Sequence, residues 1–539
     1  MVNSIAPGDW KRFMWAAVIG AVIFVLAQIL PAQGSSSMEE ESIASVKASK
    51  SKAEQQALQF AKEKFRVEPV EAHTIYQTDS LAAGYFSKQK LTTKFDKTYG
   101  SDFPYDTFRV QLKMNDGTNA FVYVHMTTGK IVGWNWKGGV PFPEDESLVL
   151  KATQAAMDAG FREEELAETS TSPKGEVVFY PKGYKLGEAD LRVTVGVASG
   201  SDGKPVINRY KAVFTAPADY VSNVDKQKGI ANVLSVVSLL YMALMTLVLA
   251  IIYAVLYRRH TTFKRGLFIS ALFTIFYIYS NLDMMDGVMA QSGEEIMTAQ
   301  GKLVMQIISA VMLVPVALAV YFSLVAGDGM WRSNKRPLWP GFRERGYGDH
   351  VWRSVGLSYL LALILLGLQS IIFIVLEKGI GSWSTTDATT SPYNIGTLWL
   401  LPTLAWCAAI SEEAIYRLFG IAIFKRWFKN TFIASLIPTV MWALGHVGYP
   451  IFPFYTRVIE LVILGLVFCF IFLRFGFITA VFTHAILDTL LMSLSLVATG
   501  EAINVTAAII YVVLPVIIAG GIRYWHRKKH RPEPDIPLA

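Results

Sequence analysis

Residues 398–424 read LWLLPTLAWCAAISEEAIYRLFGIAIF, an apolar span interrupted by Ser411-Glu412-Glu413-Ala414-Ile415-Tyr416-Arg417. A charged side chain at membrane depth costs at least about 2.5–3.5 kcal/mol, so it persists where it is paired or does chemistry. Glu413 and Arg417 are four apart, the spacing for an ion pair on one helix face. Glu412 is turned about 100° away, which leaves it free for chemistry. A plainer reading has both acids reaching toward cytoplasmic water. Against it, Leu418–Phe424 continues apolar for two turns before Lys425.

Two later spans answer these acids. Trp442-Ala443-Leu444-Gly445-His446 brings one histidine, and His484-Ala485-Ile486-Leu487-Asp488 sets an imidazole and a carboxylate on one helix face. His446, between Gly445 and Gly448, would be structural if it stood alone, and Asp488 would serve if it did no more than fix the His484 tautomer. Depth tests whether the groups meet. Counted from the basic boundary at roughly 1.5 Å per residue, Glu412 and Glu413 lie about 18–20 Å deep, His484 about 14 Å, Asp488 about 20 Å and His446 about 24 Å. Three successive spans thus present Glu, His, His and Asp within about two helical turns of one level.

Ten apolar windows of roughly 17–25 residues fall between Phe13 and Ile522. Among them are Val233–Tyr257 (second), Leu267–Met289 (third), Leu398–Phe424 (sixth), Thr431–Val447 (seventh) and Val458–Phe472 (eighth). Of the residues, 52% are hydrophobic and 17% charged, a balance too apolar for a soluble protein. The net charge of +7 excludes nothing by itself, but Lys and Arg cluster beside the apolar runs, as at Arg258–Arg259, Arg332–Arg353 and Arg523–Arg531. That is the positive-inside pattern rather than a nucleic-acid surface. Every basic cluster falls on one side if both termini are cytoplasmic. Cys407 and Cys469 both lie in apolar spans and read as small core residues.

The fold class expected is therefore a polytopic α-helical membrane protein of about ten spans with an extracytoplasmic α+β domain. The chain divides into an N-terminal anchor or signal segment (1–32), that extracytoplasmic domain (33–229), and helices two to four with a basic cytoplasmic loop (230–353). A membrane domain holding the acids and histidines (354–523) and a basic tail (524–539) complete it. The first span reads as an uncleaved anchor, although Ala32-Gln33-Gly34 is a passable cleavage site. Ser35–Ala53 reads as a linker. Beyond it a unit appears twice. A helix at Gln55–Phe65 precedes strands at Phe108–Met114, Ala120–Met126 and Ile131–Trp134. A second helix at Val149–Phe161 precedes strands at Leu191–Val197 and Asn208–Phe214. Strand residue His125 reads as a surface histidine. The layout resembles PepSY-type domains, which accompany extracytoplasmic peptidases.

Glu-Glu-x-x-x-Arg, aromatic-x-x-x-His and His-x-x-x-Asn/Asp in three successive spans resemble the CAAX prenyl endopeptidase and bacteriocin-processing (CPBP, or Abi) family of intramembrane proteases. The resemblance covers about Leu398–Ala498. Trp442 stands where Phe is usual, and Asp488 where the prenyl-processing enzymes carry Asn. An ionised Asp cannot donate to an oxyanion, so Asp488 suits a metal-ligand or histidine-orienting role better. The resemblance implies Glu412 as general base, with Glu413 and Arg417 supporting the site. His446, His484 and Asp488, with Glu412, would hold a divalent metal such as zinc or stabilise the tetrahedral intermediate; a metal-free glutamate mechanism stays open. The substrate implied is a membrane-associated or secreted peptide. Two other classes are compatible: a non-catalytic scaffold or immunity protein of the same fold, and a proton-coupled transporter using Asp283, Asp286 and Glu460.

Overall fold

The computed structural model describes residues 7–29, 50–143, 146–166, 168–172, 175–200, 203–295 and 298–529. The Ala32–Gly34 site, most of the Ser35–Ala53 linker and the end of the basic tail lie outside the described residues. The chain is a multi-pass membrane protein that carries a sheet domain.

The sheet domain is built from two halves. In the first, helix α2 (Lys50–Phe65; α1 is Pro7–Ile29) is followed by β1 (Pro69–Thr78), two short helices α3 (Ser80–Lys88) and α4 (Thr92–Thr98), and strands β2 (Asp106–Met114), β3 (Asn119–His125) and β4 (Ile131–Trp136). In the second, after β5 (Val140–Pro141), helix α5 (Glu146–Asp158) precedes β6 (Glu168–Ser172), β7 (Glu176–Phe179), β8 (Lys185–Leu186), β9 (Ala189–Ser199) and β10 (Pro205–Thr215). All pair antiparallel into one sheet of order β1-β2-β3-β4-β10-β9-β7-β6, with β5 and β8 also on β9. The halves meet last strand to last strand, Trp134 opposite Tyr210 with their rings stacked at 5.0 Å. Each half also packs its helix by residues four apart: Ala53, Ala57, Ala61 and Phe65 on α2, and Leu148, Ala152 and Ala156 on α5, all buried. Small residues at that spacing let a helix lie close on a sheet. This is the arrangement expected of a repeat.

Two expectations need correction. β1 and the β6–β7 pair are strands that the pattern of alternation did not mark, because both lie at the sheet's edges. His125 is buried rather than at the surface: Nε2 bonds to Gly100 O at 3.0 Å and Nδ1 accepts from Thr127 N, so it pins a turn.

Among the described residues, seven helices are long and apolar enough to cross a membrane, or eight if one bent pair counts as a span. After α1 these begin with α6 (Ala218–Leu256), which enters directly from β10 and starts well before the expected Val233. Its first turns, Tyr220 and Val224, belong to the sheet-domain core. The bent pair is α7 (Leu267–Asp283) and α8 (Met285–Gln291), turned by 43°. Then come α9 (Ala299–Ser333) and α10 (Tyr347–Ile380). The two remaining expected spans are α11 (Thr403–Phe428), interrupted by a π-helical stretch at Glu413–Ile421, and the short α12 (Thr431–Leu444). Helices α13 (Phe454–Phe475), α14 (Phe477–Ala498) and α15 (Ala502–Lys529) complete the bundle.

The loops before α11 and after α12 are tied to the sheet domain. β11 (Trp383–Ser384) pairs with β12 (Ile451–Phe452), and Trp383 and Phe452 both sit in the sheet-domain core. The Asn394 amide bonds to both backbone groups of Tyr76, each at 2.8 Å. A second tie follows α8: Glu294 accepts from Tyr123 at 2.8 Å and Asn135 at 2.5 Å, while Arg109 donates to Gly293 and Met289 carbonyls.

Candidate active site

Helix α11 carries both glutamates at the junction where α-helix gives way to π-helix. Single π turns widen a helix and recur at functional sites. Here the wider turn still lets Arg417 Nη1 reach Glu413 Oε1 at 3.0 Å, and both side chains are wholly buried. The guanidinium lies over the Trp442 ring at 4.5 Å and the Phe468 ring at 5.3 Å. These faces share the charge that burial would otherwise leave exposed to hydrocarbon.

Glu413 Oε1 also accepts from His484 Nδ1 at 2.9 Å. That contact turns Nδ1–H toward Glu413, so the ring is oriented from α11. The other nitrogen, Nε2, lies 3.4 Å from Asp488 Oδ2 and 3.7 Å from Glu412 Oε2. Phe468 covers the ring at 4.8 Å. Carboxylates therefore face the ring at both nitrogens, an arrangement that suits an imidazolium.

Glu412 faces the second histidine as well. Its Oε1 lies 3.6 Å from His446 Nε2, and its Oε2 accepts from the Trp442 indole N–H. His446 in turn points Nδ1 at the Trp442 carbonyl at 2.9 Å, which leaves Nε2 as the nitrogen facing Glu412. Gaps of 3.6–3.7 Å are too long for direct hydrogen bonds and leave the carboxylate able to take a water proton. The outward side of the cluster is partly open: Glu412 is 16% exposed, His446 22% and Asp488 26%, against 5% for His484.

All six expected residues, Glu412, Glu413, Arg417, His446, His484 and Asp488, are thus brought into one cluster. Trp442 was read as a motif position and proves to be a donor to Glu412. Tyr449, stacked on His446 at 5.9 Å and 11°, and Phe468 were not foreseen. An aromatic in an apolar span gives no sign of facing a polar group. Among the described residues no group of three or more His, Cys, Asp or Glu side chains is arranged to hold a metal ion. The two Glu412 oxygens diverge toward different histidines, one of them already taken by Trp442. The residue types would serve zinc, and no step below is routed through a metal.

Membrane-spanning helices thus surround a partly buried Glu–His–His–Asp cluster. The family model for type II CAAX prenyl endopeptidase, Rce1-like, matches residues 394–490. A stretch of 176 residues is 27% identical to the sporulation-killing factor biosynthesis protein SkfC of Bacillus subtilis (strain 168). It covers 32% of this chain and 32% of that protein, so the chain spans about a third of the relative's length. No solved structure matches. All three motifs fall within residues 394–490, and the two comparisons support the CPBP family of CAAX-type intramembrane proteases for that stretch.

Proposed function

We propose that the chain is an intramembrane endopeptidase that hydrolyses a peptide bond of a membrane-associated or secreted peptide through a water activated by Glu412. The observation that carries this reading is the placement of one carboxylate between two imidazoles, 3.6 and 3.7 Å away, inside a three-helix pocket. Glu412, held by the Trp442 N–H, takes a proton from water as the oxygen adds to the scissile carbonyl. His484, protonated between Glu413 and Asp488 and backed by Arg417, donates its Nε2–H to the developing oxyanion. Glu412 then returns its proton to the leaving amine.

The divalent metal that the residue types suggest is a separate proposal. Elemental analysis of wild type against His484→Ala, beside cleavage with and without chelator, decides it. We place both termini in the cytoplasm and the sheet domain outside, because that puts the basic clusters on one side. There the sheet domain, PepSY-like in layout, would meet substrate first. The transporter reading loses its acids to local partners: Asp283 to the Thr397 N–H at 2.9 Å, Asp286 to His73 at 3.0 Å and Glu460 to Arg457 at 2.5 Å.

The test is terminal-amine profiling of membrane and secreted proteins from cells expressing wild type or Glu412→Gln at matched levels. New N-termini that require Glu412 are expected. Identical profiles from the two strains remove the endopeptidase reading.

A further inference from the structure

His446 sits just past the end of its helix. Helix α12 ends at Leu444, and Gly445 and Gly448 flank the histidine. Its ring is bonded at Nδ1 to the Trp442 carbonyl and meets the Trp442 ring edge-on at 5.3 Å. A third neighbour lies along the ring's face: Tyr449, whose ring is nearly parallel to it at 5.9 Å and 11°.

Tyr449 is itself 46% exposed at the mouth, so it too needs a support. The Arg457 guanidinium provides one, 5.2 Å from the tyrosine ring. Arg457 is fixed by Glu460, 2.5 Å away and wholly buried, and Glu460 accepts from Gln369 of α10 at 2.8 Å. A buried ion pair contributes little net stability, and well-packed apolar residues often do as well. In a membrane its presence marks a role. None of Gln369, Tyr449, Arg457 or Glu460 belongs to the three motifs.

We infer that Tyr449, braced by Arg457 on the buried Glu460–Gln369 anchor, is a positioning residue that sets the His446 ring plane toward Glu412. The inference rests on the endopeptidase reading for its effect on catalysis, though not for the brace itself. Arg457 and Glu460 touch no reacting group; they act through Tyr449.

The experiment uses the full-length protein in nanodiscs and reads carbethoxylation of His446 by diethyl pyrocarbonate in mass spectra, with exposed His260 as internal reference. Labelling needs no turnover, so it reports the brace even if Glu412→Gln shows that the protein is no protease. Tyr449→Ala is expected to raise the His446 labelling rate severalfold, and Tyr449→Phe, which keeps the stack, to return it toward wild type. On a quenched peptide spanning a Glu412-dependent cleavage site, Tyr449→Ala should lower kcat about 10- to 100-fold with KM little changed. The R457Q/E460Q double variant should reproduce both effects in weaker form. If that variant fails to insert, Tyr449→Ala, which leaves the ion pair intact, carries the test. Wild-type labelling and wild-type kcat in Tyr449→Ala would overturn the inference.

Discussion

His484 Nδ1 lies 2.9 Å from Glu413 Oε1, and the same oxygen receives Arg417 at 3.0 Å. One buried carboxylate oxygen therefore joins the ion pair of α11 to the imidazole of α14. The pair is more than a way of tolerating charge in lipid. It fixes which face and which nitrogen His484 turns toward Glu412.

Arg417→Met should lower stability by about 3–5 kcal/mol, because it leaves Glu413 buried and without its cation. Thermal unfolding in detergent or nanodiscs measures it. Glu413→Gln with Arg417→Met together should recover part of that loss without recovering cleavage, since His484 then lacks a carboxylate at Nδ1. Recovery of both would show that the pair is only structural.

Trp442→Phe keeps the apolar ring under Arg417 and removes the N–H that holds Glu412. A hydrogen bond to a charged group is worth about 1.5–3 kcal/mol, so cleavage should fall about 10- to 100-fold. The melting temperature is expected to move little. A rate equal to wild type would show that Glu412 is oriented by the histidines alone.

Gly465 of α13 is where Trp442 and Thr439 approach. A Cβ there would meet Thr439 Cγ2 at 2.6 Å and Trp442 Cζ3 at 2.9 Å. Gly465→Ala should cost about 1–3 kcal/mol through overpacking, and should lower cleavage by displacing the indole. Unchanged unfolding and unchanged turnover would mean that the helices separate freely here.

In the sheet domain, burial pushes Asp106 up to about 6, against the hydrogen bonds from Tyr76 and Thr78 that favour its charged form. A carboxyl whose folded value lies above its unfolded one binds more protons when folded. Its contribution is therefore full below about pH 4 and is lost as pH rises through about 6. Hydrogen-exchange protection of β1 and β2 amides in the full-length protein should fall over that range. Asp106→Asn should flatten the change, and an identical slope in the variant would assign it to other groups.

The convergence of Glu412, His446, His484 and Asp488 was legible because each is a polar residue in an apolar run, at a depth that counting could compare. Glu412 stands 3.6 and 3.7 Å from the two histidines, well within what that comparison required. The Glu413–His484 bond was not legible, since it depends on a π stretch that no spacing of 3.6 residues describes. Asp488 faces Nε2 of His484, while the bond that orients the ring at Nδ1 comes from Glu413, which spacing alone did not indicate. β1 escaped because in the edge strand Pro69–Thr78 three consecutive residues, Thr74, Ile75 and Tyr76, are buried, which breaks the alternation. Glu460 looked like a membrane acid with a path to serve, and its partners Gln369 and Arg457 come from residues far apart or off motif.

Helix α6 leaves the last strand of the sheet and runs 39 residues, about 58 Å, against a hydrocarbon layer of about 30 Å. Along the way Ser238 donates to the Met441 carbonyl at 2.7 Å, and Tyr241 stacks on Tyr416 at 6.2 Å, beside the buried ion pair. One continuous element thus joins the sheet to the helix that carries Glu412, and its π-helical turn, Tyr241–Met245, begins at the residue that meets Tyr416.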